Sequence, residues 1–140
     1  MTRALRRPLV AMLVVLGSCA GCRDGSGSDT GNSCEVVDDC YEDVDHDELS
    51  GAVQCLDRVE GGYCTHRCQT DADCCAADGE CEDGAPEQVC GPFESTGEQL
   101  CFLSCEGKPD SFCTDELSED FGCRSTGGGS DNRKVCVPGG

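Results

Sequence analysis

Only one long apolar run occurs in this chain. Positions 9 to 16 read Leu-Val-Ala-Met-Leu-Val-Val-Leu and follow a cationic start containing Arg3, Arg6 and Arg7. Spanning a bilayer takes about 20 apolar residues, so this run is too short to cross one, but it has the layout of an export signal. The stretch from Arg23 to Ser33 carries no apolar side chain and is built from Gly, Ser, Asp, Thr, Asn and Arg. It reads as a flexible tether with an end-to-end distance of roughly 18 Å. Beyond Ser33, apolar positions are mostly scattered. Leu49, Val53 and Leu56 recur at helical spacing, predicting a short helix over 47–56. A second short helix is predicted from Thr114 to Phe121, with Thr114 as its cap and Gly122 as its stop. Positions 127–133, Gly-Gly-Gly-Ser-Asp-Asn-Arg, read as a mobile loop.

Composition limits what such a pattern can fold into. The hydrophobic fraction of 37 % includes sixteen Cys; there is no Trp, and 19 residues are Gly. The aromatic residues after the leader are Tyr41, Tyr63, Phe93, Phe102, Phe112 and Phe121. Apolar burial of that size does not offset chain entropy in the usual way. A disulfide typically contributes about 2–4 kcal/mol, so the cysteines must dominate stability. The expected fold class is a small disulfide-rich protein with little regular secondary structure. It should contain short hairpins, one or two short helices and about seven disulfides.

The cysteines after Ser33 fall into a frame. Cys34, Cys40, Cys55 and Cys64 form a first four-Cys unit over 34–64. Cys68, Cys74, Cys81 and Cys90 form a second over 68–90, and Cys105, Cys113, Cys123 and Cys136 a third over 105–136. Sequence supports the frame: Cys34-Glu-Val-Val-Asp-Asp-Cys40 matches Cys68-Gln-Thr-Asp-Ala-Asp-Cys74, and Val89-Cys90-Gly-Pro92 matches Val135-Cys136-Val-Pro138. Cys75 and Cys101 are left over, and the simplest closure bridges them between the second and third units. Fourteen thiols allow on the order of 10⁵ pairings, so spacing does not fix connectivity. The expected pattern is first to third and second to fourth within each unit.

Leu16-Gly17-Ser18-Cys19-Ala20-Gly21-Cys22 follows the apolar run. It resembles the lipobox of bacterial lipoproteins, in which a Leu and two small residues precede a Cys that receives a diacylglycerol and becomes the mature N-terminus. The resemblance implies lipidation at Cys19, with Cys22 as the competing register because it leaves an even number of thiols. Plain secretion after cleavage near Cys19 is the alternative. The implied organisation is a signal peptide at 1–18, a lipidated Cys and tether at 19–33, and a disulfide-rich region at 34–140. An exported chain meets an oxidising compartment, where such cysteines read as a cross-linked scaffold. The formal charge of −18 becomes about −21 once Arg3, Arg6 and Arg7 leave with the leader. That balance excludes nucleic acid as a partner and disfavours electrostatic adhesion to anionic lipid, so the acyl anchor must supply membrane attachment.

The C-x5-C stretches, with Asp39 and Asp73 directly before the second Cys, resemble the modules of Cys-rich bacterial lipoproteins and the N-terminal Cys-rich domain of Dickkopf proteins. Asp39, Asp71 and Asp73 are expected to fix turns through side-chain to backbone hydrogen bonds. The string Cys64, Cys68, Cys74-Cys75, Cys81, Cys90 also resembles inhibitor knottins, which implies pairings of Cys64 with Cys75, Cys68 with Cys81, and Cys74 with Cys90. That alternative implies a secreted inhibitor or toxin-like protein.

Asp43, Asp45 and Asp47 alternate as carboxylates do at the start of calcium loops, and calcium is the one metal the sequence suggests. As an EF-hand the segment fails, with Glu48 where Gly is needed and Gln54 where a bidentate Glu is expected. His46 and His66 are the only histidines and show no partner in sequence. No nucleophile motif, paired catalytic carboxylates or phosphate loop occurs, so the expected role is non-catalytic: a lipid-anchored envelope module, binding a protein or glycan ligand or serving structurally. A calcium-stabilised adhesion module is a further alternative.

Overall fold

The computed structural model describes residues 29–93, 96–127, 129 and 132–138. The leader, Cys19 and Cys22 lie outside the described residues, as does part of the loop expected at 127–133. The architecture is three antiparallel two-stranded hairpins in sequence. Strand β1 (Val53–Cys55) pairs with β2 (Cys64–His66), β3 (Gln88–Phe93) with β4 (Glu98–Leu103), and β5 (Phe121–Ser125) with β6 (Lys134–Pro138). The described residues also include one short helix, α1 (Phe112–Glu116), and 3-10 turns at Val37–Asp39 and Asp71–Cys75. The fold is therefore the small disulfide-rich class, with seven bridges among the described residues.

The three hairpins share one cysteine geometry. Cys55 lies opposite Cys64, Cys90 opposite Cys101, and Cys123 opposite Cys136. Directly opposed residues of an antiparallel pair project to the same face. Each pair thus offers two sulfurs to the turn that precedes the hairpin. Cys34 joins Cys55 and Cys40 joins Cys64; Cys68 joins Cys90 and Cys74 joins Cys101; Cys105 joins Cys123 and Cys113 joins Cys136. In each case a segment that contains a short helical turn is tied at two points across one face of its hairpin. The two bridges pack together, with sulfurs of Cys34, Cys40 and Cys64 within 4.8 Å of one another, as are the corresponding trios of the other hairpins.

First-to-third and second-to-fourth pairing holds in the first and third units. The second unit differs from expectation. Its third and fourth members are Cys90 and Cys101, so it extends over 68–101, and the expected Cys75–Cys101 bridge is replaced by Cys74–Cys101. Cys75 instead closes a short loop with Cys81. The reason is register: the β3–β4 ladder sets Cys90 against Cys101, whereas Cys81 precedes the strand. None of the three knottin pairings is formed; Cys64 is bonded to Cys40. Every bridge lies inside one of the segments 34–64, 68–101 and 105–136, and none joins one hairpin unit to another. On loop-closure entropy the six bridges spanning 18 to 27 residues stabilise by about 3–3.5 kcal/mol each, and the six-residue Cys75–Cys81 loop by about 2 kcal/mol.

Non-covalent contacts assemble the units. Tyr63 packs on Phe102 at 5.7 Å and on Phe121 at 5.9 Å between ring centroids, one aromatic from each hairpin. Val89, Leu100, Leu103 and Val135 fill the same core. A second, smaller core holds Tyr41, Val44 and Leu49 beneath the first 3-10 turn. The chain leaving β2 donates from Cys68 N–H to the Gln99 carbonyl at 3.2 Å, and Thr65 Oγ1 donates to the Cys101 carbonyl at 2.7 Å. The chain leaving β4 donates from Cys105 N–H to the Lys134 carbonyl at 3.0 Å. Arg133 reaches back to Asp71, with Nη1 at 2.9 Å from both carboxylate oxygens, and to Glu106 at 3.2 Å.

Three local expectations change. The segment 47–56 is not helical: it turns and then enters β1, because Cys55 must face both Cys34 and β2. Helix α1 starts at Phe112, two residues before the expected Thr114, and ends at Glu116. Thr114 is inside it, donating to the Ser111 carbonyl at 2.7 Å rather than capping a free amide. The expected tether ends earlier than Ser33. Gly31 N–H donates to the Cys64 carbonyl at 2.9 Å, Cys64 N–H to the Asn32 carbonyl at 2.8 Å, and Thr30 is buried with its hydroxyl 2.6 Å from that of Tyr41. Backbone pairing and one threonine dock a segment that has no apolar side chain.

Gly62 permits this docking. It sits at φ 73°, and a Cβ built there would fall 2.0 Å from the Cys34 carbonyl oxygen. Gly62→Ala should therefore push the segment at Cys34 away from Gly62 and cost about 1–3 kcal/mol, read as a lowered denaturation midpoint. An unchanged midpoint would show that residues 31–34 are not held at this register.

Candidate binding groove

Asp39 and Asp73 act as the sequence suggests. Asp39 Oδ2 accepts from Glu35 N–H at 2.7 Å and Val36 N–H at 3.0 Å; Asp73 Oδ2 accepts from Gln69 N–H and Thr70 N–H, both at 2.8 Å. These backbone donors hold both carboxyls below the ordinary carboxylate range. Asp71 does something else: it accepts from Cys90 N–H at 2.9 Å and receives Arg133. Because the folded-state values of Asp39 and Asp73 are depressed, their contribution is present above the unfolded-state value of about 3.9 and lost as pH falls through the folded values. Asp39→Asn with Asp73→Asn should flatten the acid limb of the stability curve below about pH 4 and leave its neutral region nearly level. A full acid limb in the double variant would remove these two groups from the account.

The carboxylates suggested for calcium, Asp43, Asp45 and Asp47, are all exposed. Asp45 Oδ1 accepts from Asp47 N–H at 3.0 Å, whereas Asp43 faces Asp29, whose carboxyl is raised by partial burial and then by the Asp43 charge. Among the described residues, the groups of three ligand atoms within 4.8 Å are cysteine trios, and none includes these aspartates. Those trios are disulfide sulfurs, and metals bind the thiolate. His46 Nε2 lies 2.9 Å from the Cys40 carbonyl.

His66, which showed no partner in sequence, has one. Its Nε2 is 2.6 Å from Glu80 Oε1, and both side chains have 0 % exposure. Nδ1 lies 2.9 Å from the Arg67 carbonyl, and Glu80 Oε2 accepts from Ala77 N–H at 3.0 Å. Tyr41 stands edge-on to the imidazole at 5.5 Å. Both ring nitrogens therefore face an oxygen acceptor, one a carbonyl and the other a carboxylate. The pair joins the first hairpin to the Cys75–Cys81 loop. Nothing in a linear sequence marks residues 14 apart as partners across two loops. Glu80→Ala, which leaves the imidazole buried without its acceptor, should cost about 3–5 kcal/mol in a denaturant titration. A loss under 1 kcal/mol would mean that water reaches the pair.

A concave surface lies where the three hairpins meet. It is a groove of about 650 Å³ whose lining includes Val59, Phe93, Phe102, Val135, Val137 and Pro138. Phe102 and Val135 belong to the core and form its base, while Val59, Phe93 and Val137 are partly exposed along it. Its rim carries Arg58, Arg124, Glu60, Glu119 and Asp120, all exposed. An apolar base with a rim of both charges is suited to hold side chains and orient them. None of these residues stood out in the sequence, because the groove is assembled from single apolar positions on three separate hairpins. No protein-family model, curated protein or solved structure matches the chain.

Proposed function

We propose that the protein is an exported, lipid-anchored, non-catalytic module of the cell envelope that binds a partner in the groove between its hairpins. The observation that carries this reading is the use of the cysteines. All fourteen described ones are paired in disulfides, as suits an oxidising, extracytoplasmic environment. Cys19 and Cys22 stand apart, at the end of the apolar leader in a lipobox-like setting. Among the described residues no helix is long and apolar enough to cross a membrane, so an acyl group on Cys19 is the attachment the sequence offers. One acyl chain holds a protein only marginally, whereas a diacylglycerol provides two.

Binding fits the groove better than catalysis does. Its lining holds no His, Cys or Lys, and its carboxylates lie on the exposed rim. A protein segment with an apolar side chain between charged neighbours matches both base and rim.

Mass spectrometry of the mature protein should find an N-terminal Cys19 carrying a diacylglycerol, and Cys19→Ala should release the chain from the membrane fraction. A free, unlipidated N-terminus would overturn the anchor. For the groove, Arg58→Glu with Arg124→Glu on its exposed rim should abolish cross-linking to an envelope partner captured by the wild type while the thermal midpoint shifts by only a few degrees, on the order of 1 kcal/mol. Undiminished cross-linking would move the binding surface elsewhere.

A further inference from the structure

The Cys75–Cys81 bridge differs from the other six in three independent ways. Each of the others has at least one buried cysteine, whereas Cys75 is exposed and Cys81 only half-buried. It spans six residues where the others span 18 to 27, so it constrains the unfolded chain least. It also lies outside the cysteine frame: no hairpin uses it to tie its turn. What it closes is the loop from Ala76 to Glu80, which carries the Glu80 carboxylate onto His66 and packs Ala77 against the first unit's core.

We propose that Cys75–Cys81 is a thiol–disulfide exchange site, taking a dithiol as its reductant, that sets how tightly the Glu80 loop is held on the first hairpin. A thiolate of the dithiol attacks the exposed Cys75 sulfur. The Cys75–Cys81 bond breaks, and the Cys81 sulfur leaves with the electron pair and takes a proton. The second thiol of the reductant then resolves the mixed disulfide, releasing Cys75 as a thiol. Two electrons and two protons pass to the protein, and the dithiol ends as a disulfide. The other six bridges, each with buried sulfur, remain, so the hairpins persist. Exposed Asp78, Glu82 and Asp83 flank the site in sequence. They disfavour a reductant that carries negative charge beyond its attacking thiolate, so a dithiol without acidic groups is the better match.

The test is stepwise reduction of the full oxidised protein with dithiothreitol under native conditions, followed by alkylation and peptide mapping. The expected result is a plateau with two newly reduced thiols, mapped by alkylation to Cys75 and Cys81, before any of the other six bridges opens. At that plateau the Ala77 amide, which Glu80 Oε2 holds, should exchange with solvent about tenfold faster. Cys75→Ser with Cys81→Ser should remove the plateau and leave the six other bridges resistant. A different first pair, or loss of all bridges together, would overturn the exchange site. A two-thiol plateau with unchanged Ala77 exchange would overturn its control of the loop.

Discussion

The structure depends on two cysteines facing each other across a hairpin without bonding to each other. Cys55 and Cys64, Cys90 and Cys101, and Cys123 and Cys136 each occupy one register position, so their sulfurs emerge on one face. Each reaches a different end of the preceding turn, and a flat ribbon of three to six residues per strand becomes a closed knot. A two-stranded hairpin is marginal in water. The paired bridges supply what a third strand or a packed helix would otherwise supply. The segment before each hairpin has only to bring two cysteines to two sulfurs side by side, and one short turn within it, Val37–Asp39, Asp71–Cys75 or Phe112–Glu116, suffices.

The assembly of the knots has a different origin. Tyr63, Phe102 and Phe121 come one from each hairpin, and their rings meet in a core that no single unit could form. At its edges are polar ties: Thr65 to Cys101, Cys105 to Lys134, and Arg133 to Asp71 and Glu106. The buried His66–Glu80 contact ties the first unit to a loop of the second. Few apolar residues suffice because the entropy of each unit is already restricted by its bridges, and the core has only to fix their mutual placement.

How far this could be read from residue order varies with position. The frame of the first and third units follows from spacing, because each has four cysteines and no competitor. The second contains a Cys74-Cys75 doublet and an additional Cys81, and spacing alone does not say which cysteine sits on a strand. The likeness of Val89-Cys90-Gly-Pro92 to Val135-Cys136-Val-Pro138 points the wrong way: Cys90 occupies the first strand of its hairpin and Cys136 the second. Asp39 and Asp73 were readable because a turn is local. The Leu49, Val53 and Leu56 spacing misleads for the opposite reason: Leu49 serves one core and Leu56 another, so no single helix face exists. Thr30, His66 and Glu80 gain their roles only from tertiary contact, and the groove from the meeting of three segments far apart in sequence.

The division between covalent and non-covalent order bears directly on the groove. No disulfide crosses from one unit to another, yet the groove lining is drawn from the β1–β2 turn at Arg58–Glu60, from the β3–β4 hairpin at Phe93 and Phe102, and from β5–β6 at Arg124, Val135 and Val137. Its shape is therefore set by the aromatic core and the polar ties, while the integrity of each wall is set by cysteine. The exposed charged residues of its rim line neither the aromatic core nor a bridge. Arg58, Arg124 and Glu119 on the rim can change without touching a bridge, whereas Val59 and Val137 also pack against the core. A chain with few apolar residues gains most from this arrangement: its stability is concentrated in fourteen cysteines, none of which lines the groove.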